Sequence, residues 1–423
     1  METEILYGEQ TKLTARNMTF SDWRLKHFPE FIDAALNIKA ACALANYRAG
    51  LLPEEKKDAI IAACKELRLG KYRNQFIVDV FHGGGGIGIN MNFNEVIANK
   101  AGHDVHPVDD VNMSQSTSDF CHSAMRLALI YSTRSLKGVL RHMVETADIK
   151  MKEFEPYTTI ARTCWQDGMQ VSAGTIFEGF KETLEAMTDR FAKDIDDLHW
   201  VNMGYTVIGT GTGADPAYKR EIEGALQDYL GLPMKMTKKP YVHAQFPVDL
   251  VTVSSDIKTI SSILAKFAKD TIILSSGPEA GLHEWDIPAV QKGSSFFPGK
   301  VNPVIPEMMI QCDLLISGHD SIMQNALGMG EQHLNVWEEL MGFLLLENVR
   351  WLRRATRQFD TRCVAGITLN EETIERNANA SIPLVVAYKE EFGYEKLSDR
   401  IKKEGLKNVV ASLRKRKAEN RRK

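Results

Sequence analysis

The residues best able to do chemistry form one short string, Gly293-Ser294-Ser295-Phe296-Phe297-Pro298-Gly299-Lys300-Val301-Asn302-Pro303. A serine acts as a base only if its alkoxide is stabilised, and a nearby cation with loop amides can do that. Lys300 follows Ser294 on the same glycine- and proline-containing segment and is the obvious cation. Lys300 and Asn302 can also hold a carboxylate, which gains negative charge as the neighbouring C–H proton leaves. Gly-Ser-Ser alone reads as an ordinary loop, whereas the whole string reads as a device for carbanion chemistry. A second feature is the run Gly83 to Gly86, preceded by His82. Consecutive glycines let backbone N–H groups converge on an anion, and Gly85 and Gly86 are the candidate contacts there.

Such loops need a rigid scaffold, and the chain supplies long stretches of helical periodicity and almost no strand-like alternation. Phe31 to Leu52 sets Phe31, Ala34, Ala35, Ile38, Ala41, Cys42 and Ala45 on one stripe of mostly small residues. Phe120 to Phe154 reads as one very long helix, and further helices run from Pro306 to Leu327 and from Trp337 to Phe359. Ile257 to Leu274 is apolar on more than one side, as buried helices are. Successive long helices imply an elongated bundle, and excess apolar surface implies completion by other subunits. The expected fold class is all-α. Loops at Gly83 to Gly88, His106 to Asn112, Gly204 to Gly213 and Gly293 to Pro303 are where function is expected. The segment Leu413 to Lys423, LRKRKAENRRK, is basic and poor in apolar residues and reads as a frayed tail.

The 423 residues carry a formal net charge of −3, which favours neither nucleic acid nor membrane partners. Six cysteines (Cys42, Cys64, Cys121, Cys164, Cys312 and Cys363) lie far apart without a CxxC pair, the pattern of reduced intracellular thiols. The N-terminus METEILYGEQ lacks the features of a signal peptide, and no run reaches the ~18 apolar residues of a membrane span. A cytoplasmic protein is expected.

The Gly293 to Pro303 string resembles the signature loop of the aspartase/fumarase superfamily, GSSxMPxKxNP, with Phe297 in place of the usual methionine. The resemblance covers nearly the whole chain. Asn90 to Asn99 is similar to NMNxNEVIAN, His106 to Asp119 to HPNDxVNxSQSxND, and Ala161 to Gly168 to GRTHLQDA. Met203 to Gly213 resembles, more loosely, MGGTAxGTG, and Phe359 to Ile367 the aspartase C-terminal stretch. The resemblance implies a homotetramer with a central twenty-helix bundle and four active sites, each built from three subunits. It implies three domains, 1–107, 108–360 and 361–423, the last carrying the basic tail. It also implies Ser294 as the base, Lys300 and Asn302 as holders of the carboxylate that becomes the aci-acid, and Ser116, Thr117 and Thr163 as ligands of the second acid group. Glu307, just beyond the loop, would support it. No metal or organic cofactor is implied.

Three positions depart from the pattern. The family threonine of GAGTS is Ile87, the asparagine of SQSxND is Ser118, and the histidine of RTHLQD is Cys164. In aspartases those residues surround the departing ammonium, so the losses fall on the leaving-group side while the base and acid-binding positions remain. An anionic leaving group such as phosphate would suit the glycines, with His82 or Arg162 supplying positive charge; Cys164 would simply fill space. Relatives that release phosphate from phosphosulfolactate in coenzyme M biosynthesis, or nitrite from nitrosuccinate, set precedents. The expectation is therefore a lyase with phosphate as leaving group. Aspartate ammonia-lyase is the runner-up, and a non-catalytic structural homologue, like some lens crystallins, is the alternative from another class.

Overall fold

The structure, a computed structural model, describes residues 4–420. Helix dominates, and the strands among the described residues are short, from two to seven residues. The helices that matter below are, in chain order, α1 (Pro29–Arg48), α2 (Ile87–Ala101), α3 (Thr117–Phe154), α4 (Thr175–Asp196), α5 (Val248–Leu274), α6 (Val304–Gly328), α7 (Glu338–Arg362) and α8 (Leu406–Asn420). Five of them, α1, α3, α5, α6 and α7, occupy the stretches marked by apolar periodicity. No helix among the described residues is long and apolar enough to cross a membrane.

Local chemistry explains the helix limits. α1 opens on Pro29, whose missing N–H would be unpaired at that position anyway and whose ring presets φ. α2 is bracketed by Gly86 at its N-cap (φ 82°) and Gly102 at its C-cap (φ 62°), where a side chain would be strained. α1 is buried far beyond a single stripe, and even Lys39 is wholly enclosed. Its alanines and Cys42 leave room for neighbours to approach on every side.

The chain forms two compact units. The first comprises Met1–Gly138, Met187–Ile260 and Leu314–Arg353, and the second Val139–Ala186, Ser261–Asp313 and Arg354–Lys423. The first has an aromatic centre in which Phe31 and Phe28 each meet the edge of Phe343 at 4.9 Å, and Phe76 lies 4.7 Å from Phe93. In the second, Phe180 stacks on Phe267 at 4.1 Å and Phe177 on Trp285 at 5.2 Å.

Two features differ from the sequence reading. Thr158–Thr163 (β1) and Gln166–Ser172 (β2) form an antiparallel hairpin. Only Ile160 of β1 is buried, so the strand never alternates apolar with polar, and the turn residues Cys164 and Trp165 take φ of 52° and 61° without a glycine or asparagine. The basic C-terminal segment is likewise not frayed where it is described: α8 continues to Asn420, with residues 421–423 outside the described part. Val409, Val410 and Leu413 are buried along one face of α8, while Arg414, Lys415 and Arg416 point outward.

Phe31 is fully buried between two other rings, so Phe31→Ala should lower the stability of the first unit by about 3–5 kcal/mol. Denaturant unfolding of the variant beside the parent protein measures it.

Candidate active site

In the second unit the Gly293 to Pro303 loop folds back on itself. A Cβ on Gly293 would stand 2.0 Å from the Lys300 carbonyl oxygen and 2.7 Å from the Asn302 nitrogen, so only glycine fits this pinch. The Asn302 side-chain amide closes the same point by donating to the Gly293 carbonyl. Inside the loop, Ser294 Oγ accepts hydrogen bonds from the backbone N–H groups of Phe296 (3.0 Å) and Phe297 (2.9 Å). Donors aimed at one oxygen favour its charged form. Lys300 is exposed, its Nζ 5.4 Å from the centre of the Phe297 ring. Ser294, Lys300 and Asn302 are thus brought together in one closed loop. Glu307 is exposed in the first turn of α6, where its charge complements the helix N-terminus.

The β1–β2 hairpin carries Arg162, Thr163 and Cys164, also in the second unit. Thr163 and Cys164 are exposed at its tip, so Cys164 does not fill space in a core. Arg162 corrects a second expectation. Its guanidinium is bound to Glu284 through both nitrogens (2.5 and 3.2 Å), and Asn377 donates to the same carboxylate at 2.7 Å. A guanidinium occupied in this way is not a free charge for an anion. A cavity of about 450 Å³ lies beside the hairpin, with Arg162, Cys164, Trp165, Leu274 and Trp285 in its wall.

In the first unit, Ser116, Thr117 and Ser118 stand at the start of α3. The Ser116 N–H donates to Asp119 Oδ1 (2.9 Å), and Asp119 Oδ2 accepts from the N–H groups of Gly204 and Thr206, both at 3.1 Å. That carboxylate ties the Gly204 to Gly213 turn to the α3 start. Thr117 Oγ1 accepts from Asn90 Nδ2 at 3.0 Å. Behind it Lys39 Nζ donates to Asn90 Oδ1 and Asn112 Oδ1, both at 2.9 Å. Burial holds the Lys39 ammonium down at about 8. Ser118 is buried and its Oγ has no hydrogen-bond partner.

The glycine run bends tightly, with Gly84, Gly85 and Gly86 at φ of 84°, 55° and 82°. His82 corrects a third expectation. Its Nδ1 lies 2.8 Å from the Asp79 carbonyl, so that nitrogen carries the proton, and burial lowers the pKa of the ring. The imidazole is neutral and brings no positive charge. The group that does face Gly86 is acidic: Glu339 Oε1 lies 2.7 Å from where a Gly86 Cβ would stand. Burial pushes the Glu339 carboxyl up to about 7.

Lys39, Asp119 and Glu339 escaped the sequence reading. Lys39 gave a signal, as a lone cation among the small apolar residues of α1. Glu339 gave none, since Glu338-Glu339 at a helix start reads as ordinary N-terminal acid.

Removing one side of the Arg162–Glu284 pair leaves the other charge largely buried. Glu284→Ala should cost about 3–5 kcal/mol of stability, measured as thermal or denaturant unfolding.

Comparisons with known proteins agree with this geometry. Residues 1–318 match the family described as Lyase. The chain is 39% identical over 419 residues to an aspartate ammonia-lyase of Helicobacter pylori, covering 96% of this chain and 88% of the relative. It is 34% identical over 417 residues to the Bacillus subtilis aspartate ammonia-lyase, covering 96% and 87%. Among solved structures, fumarate lyase:delta crystallin from Brucella melitensis bound to cobalt superposes with a TM-score of 0.93 at 37% identity, covering 99% of this chain and 93% of that one. Class II fumarase from Schistosoma mansoni gives 0.92 at 28% identity, covering 98% and 93%. Long helices in the order of these relatives, the closed Gly293 to Pro303 loop and identity along nearly the full length converge: the chain is a lyase and belongs to the aspartase/fumarase superfamily.

Proposed function

We propose that this protein is an aspartate ammonia-lyase, converting L-aspartate to fumarate and ammonia. The observation that carries the elimination is the pair of backbone N–H groups on Ser294 Oγ, at 3.0 and 2.9 Å. Ser294, as its alkoxide, takes a proton from the carbon beside one carboxylate. The C–H electron pair moves into that carboxylate, which becomes the doubly charged aci-acid. Lys300 and Asn302 hold it, and the gain in charge makes their contribution larger in the transition state than in the bound substrate. The pair then returns to form the C=C bond, and the C–N bond breaks with its electrons leaving on ammonia. Ser116, Thr117 and Thr163 hold the other carboxylate.

Ammonia is favoured over phosphate as leaving group by the charges around the glycine turn. The phosphate reading needs cations from His82 and Arg162, but His82 is neutral and Arg162 is bound to Glu284. An acid, Glu339, faces Gly86 instead. Curated relatives named aspartate ammonia-lyase, 34–39% identical over most of the chain, support the same choice. Phosphosulfolactate is therefore the second reading, kept because Ile87, Ser118 and Cys164 stand where aspartases carry other residues. The non-catalytic alternative is disfavoured by retention of Ser294, Lys300 and Asn302 in a closed loop.

The active form we propose is a cytoplasmic homotetramer, with sites shared between three subunits and the chain partitioned as 1–107, 108–360 and 361–423. Exposed Leu314, Leu315 and Ile322 on α6 are apolar surface that a helical interface would cover. Sedimentation should give about 190 kDa, four times 47.5 kDa, and a stable monomer at micromolar concentration overturns the shared site.

The function is tested by offering L-aspartate, malate and a phosphorylated sulfonate analogue side by side while measuring ammonia, fumarate and phosphate. Fumarate with equimolar ammonia from aspartate is expected; phosphate release alone would establish the second reading. Ser294→Ala should lower kcat about 10²–10⁴-fold at unchanged Tm, the usual worth of a positioned base. Near-parental turnover would place the base elsewhere.

A further inference from the structure

Buried polar atoms without partners gather beside the glycine turn of the first unit. Glu339 is 7% exposed and Ser118 is 4% exposed, and both Glu339 Oε1 and Ser118 Oγ are enclosed without a hydrogen-bond partner among the described residues. A Cβ on Gly86 would meet Glu339 Oε1 at 2.7 Å and Cys121 Sγ at 2.9 Å. Cys121 lies three residues after Ser118 on α3, so the two share a helix face. Ile87 and Ser118 are the positions at which the resemblance puts the residues around a departing amine, and both have lost the family's side chains.

We propose that Glu339, with Ser118, forms the recognition subsite for the substrate's ammonium group, acting from behind Gly86 in place of the residues missing at 87 and 118. Glu339 also lines a cavity of about 470 Å³, together with His82, Gly83 and Val336. A buried carboxylate without a cation is costly, and every neighbour leaves it so. Cys121 from α3 is a thiol whose pKa burial and Glu339 itself both raise. Glu338, next on α7, is taken by Arg126 of α3 at 2.5 Å, with the His122 ring, kept neutral by burial, 3.1 Å away, and Arg126 is in turn bound to Asp249 of α5 at 2.7 Å. Lys39 is spent on Asn90 and Asn112, and His82 is neutral. Among the described residues Glu339 has no ion-pair partner, and an ammonium group would provide one.

The pH dependence has a definite sign. Burial pushes the Glu339 carboxyl up to about 7, so the carboxylate that attracts an ammonium forms as pH rises through that value. Affinity for an amine-bearing diacid should rise between about pH 6 and 8, and affinity for the same diacid without the amine should not.

The inference rests on the ammonia-releasing reading and is tested apart from it by binding. L-Aspartate and succinate are titrated calorimetrically into Ser294→Ala protein, whose expected turnover is about 10²–10⁴-fold lower, with and without Glu339→Gln, at pH 6 and 8. Preference for aspartate over succinate should be about tenfold or more at pH 8 and should fall several-fold at pH 6, as expected for a charge-assisted contact. Glu339→Gln should erase that preference while leaving succinate affinity within about twofold, and Ser118→Ala should reduce it less. Gel filtration establishes that the variants assemble as the parent does. An aspartate preference untouched by Glu339→Gln, parallel loss of both ligands, or no aspartate binding at all would overturn the subsite. Failure of the ammonia-lyase reading shows up separately, as absence of ammonia from the parent enzyme.

Discussion

One buried cation organises the first unit. Lys39 sits inside α1 among alanines, wholly shielded from water, and among the described residues no carboxylate forms an ion pair with it. Enclosing an ammonium is costly by several kcal/mol unless its N–H groups are answered. Here they are answered by the side-chain oxygens of Asn90 and Asn112 and by the face of Phe120 at 4.1 Å. Those partners come from α2, from the loop before α3 and from α3 itself. The need to satisfy one charge therefore fixes three segments against α1. Asn90, held by Lys39 on one side, presents its amide to Thr117 on the other.

The long helices were legible because their apolar residues recur with the helical period over many turns. The β1–β2 hairpin was not: its strands bury too little to alternate, and Cys164 and Trp165 adopt a left-handed turn without the residues that normally advertise one. Composition misled at the C-terminus, where a basic run hid the apolar contacts of Val409, Val410 and Leu413. In the candidate site, the closed loop that holds Ser294, Lys300 and Asn302 was legible as a loop, because its glycines and prolines are near neighbours in sequence. Charges paired across the fold were invisible to that kind of reading. Arg162 and Glu284 are 122 positions apart, and only their contact reveals that the arginine is occupied.

The sign of the electrostatics decides between chemistries that share a base. Both readings use the same alkoxide and the same carboxylate holders, and they differ only in the charge of what departs. Around the glycine turn the described groups are a neutral imidazole, a thiol and an acid. Such surroundings disfavour a departing anion and suit a substrate that carries an ammonium group and loses it as neutral ammonia. The replacements at Ile87 and Ser118 need not signal a new leaving group if the Glu339 carboxylate takes over recognition of the ammonium.

The two donors on Ser294 Oγ belong to Phe296 and Phe297, residues of its own loop, and the loop is tied off where Gly293 meets Lys300 and Asn302. The proposed base is therefore a self-contained module. Its activating environment is carried along with it, so swinging the loop changes where the alkoxide is aimed and not how readily it forms. A change in the position of such a segment would leave the two N–H contacts to its serine oxygen unaltered.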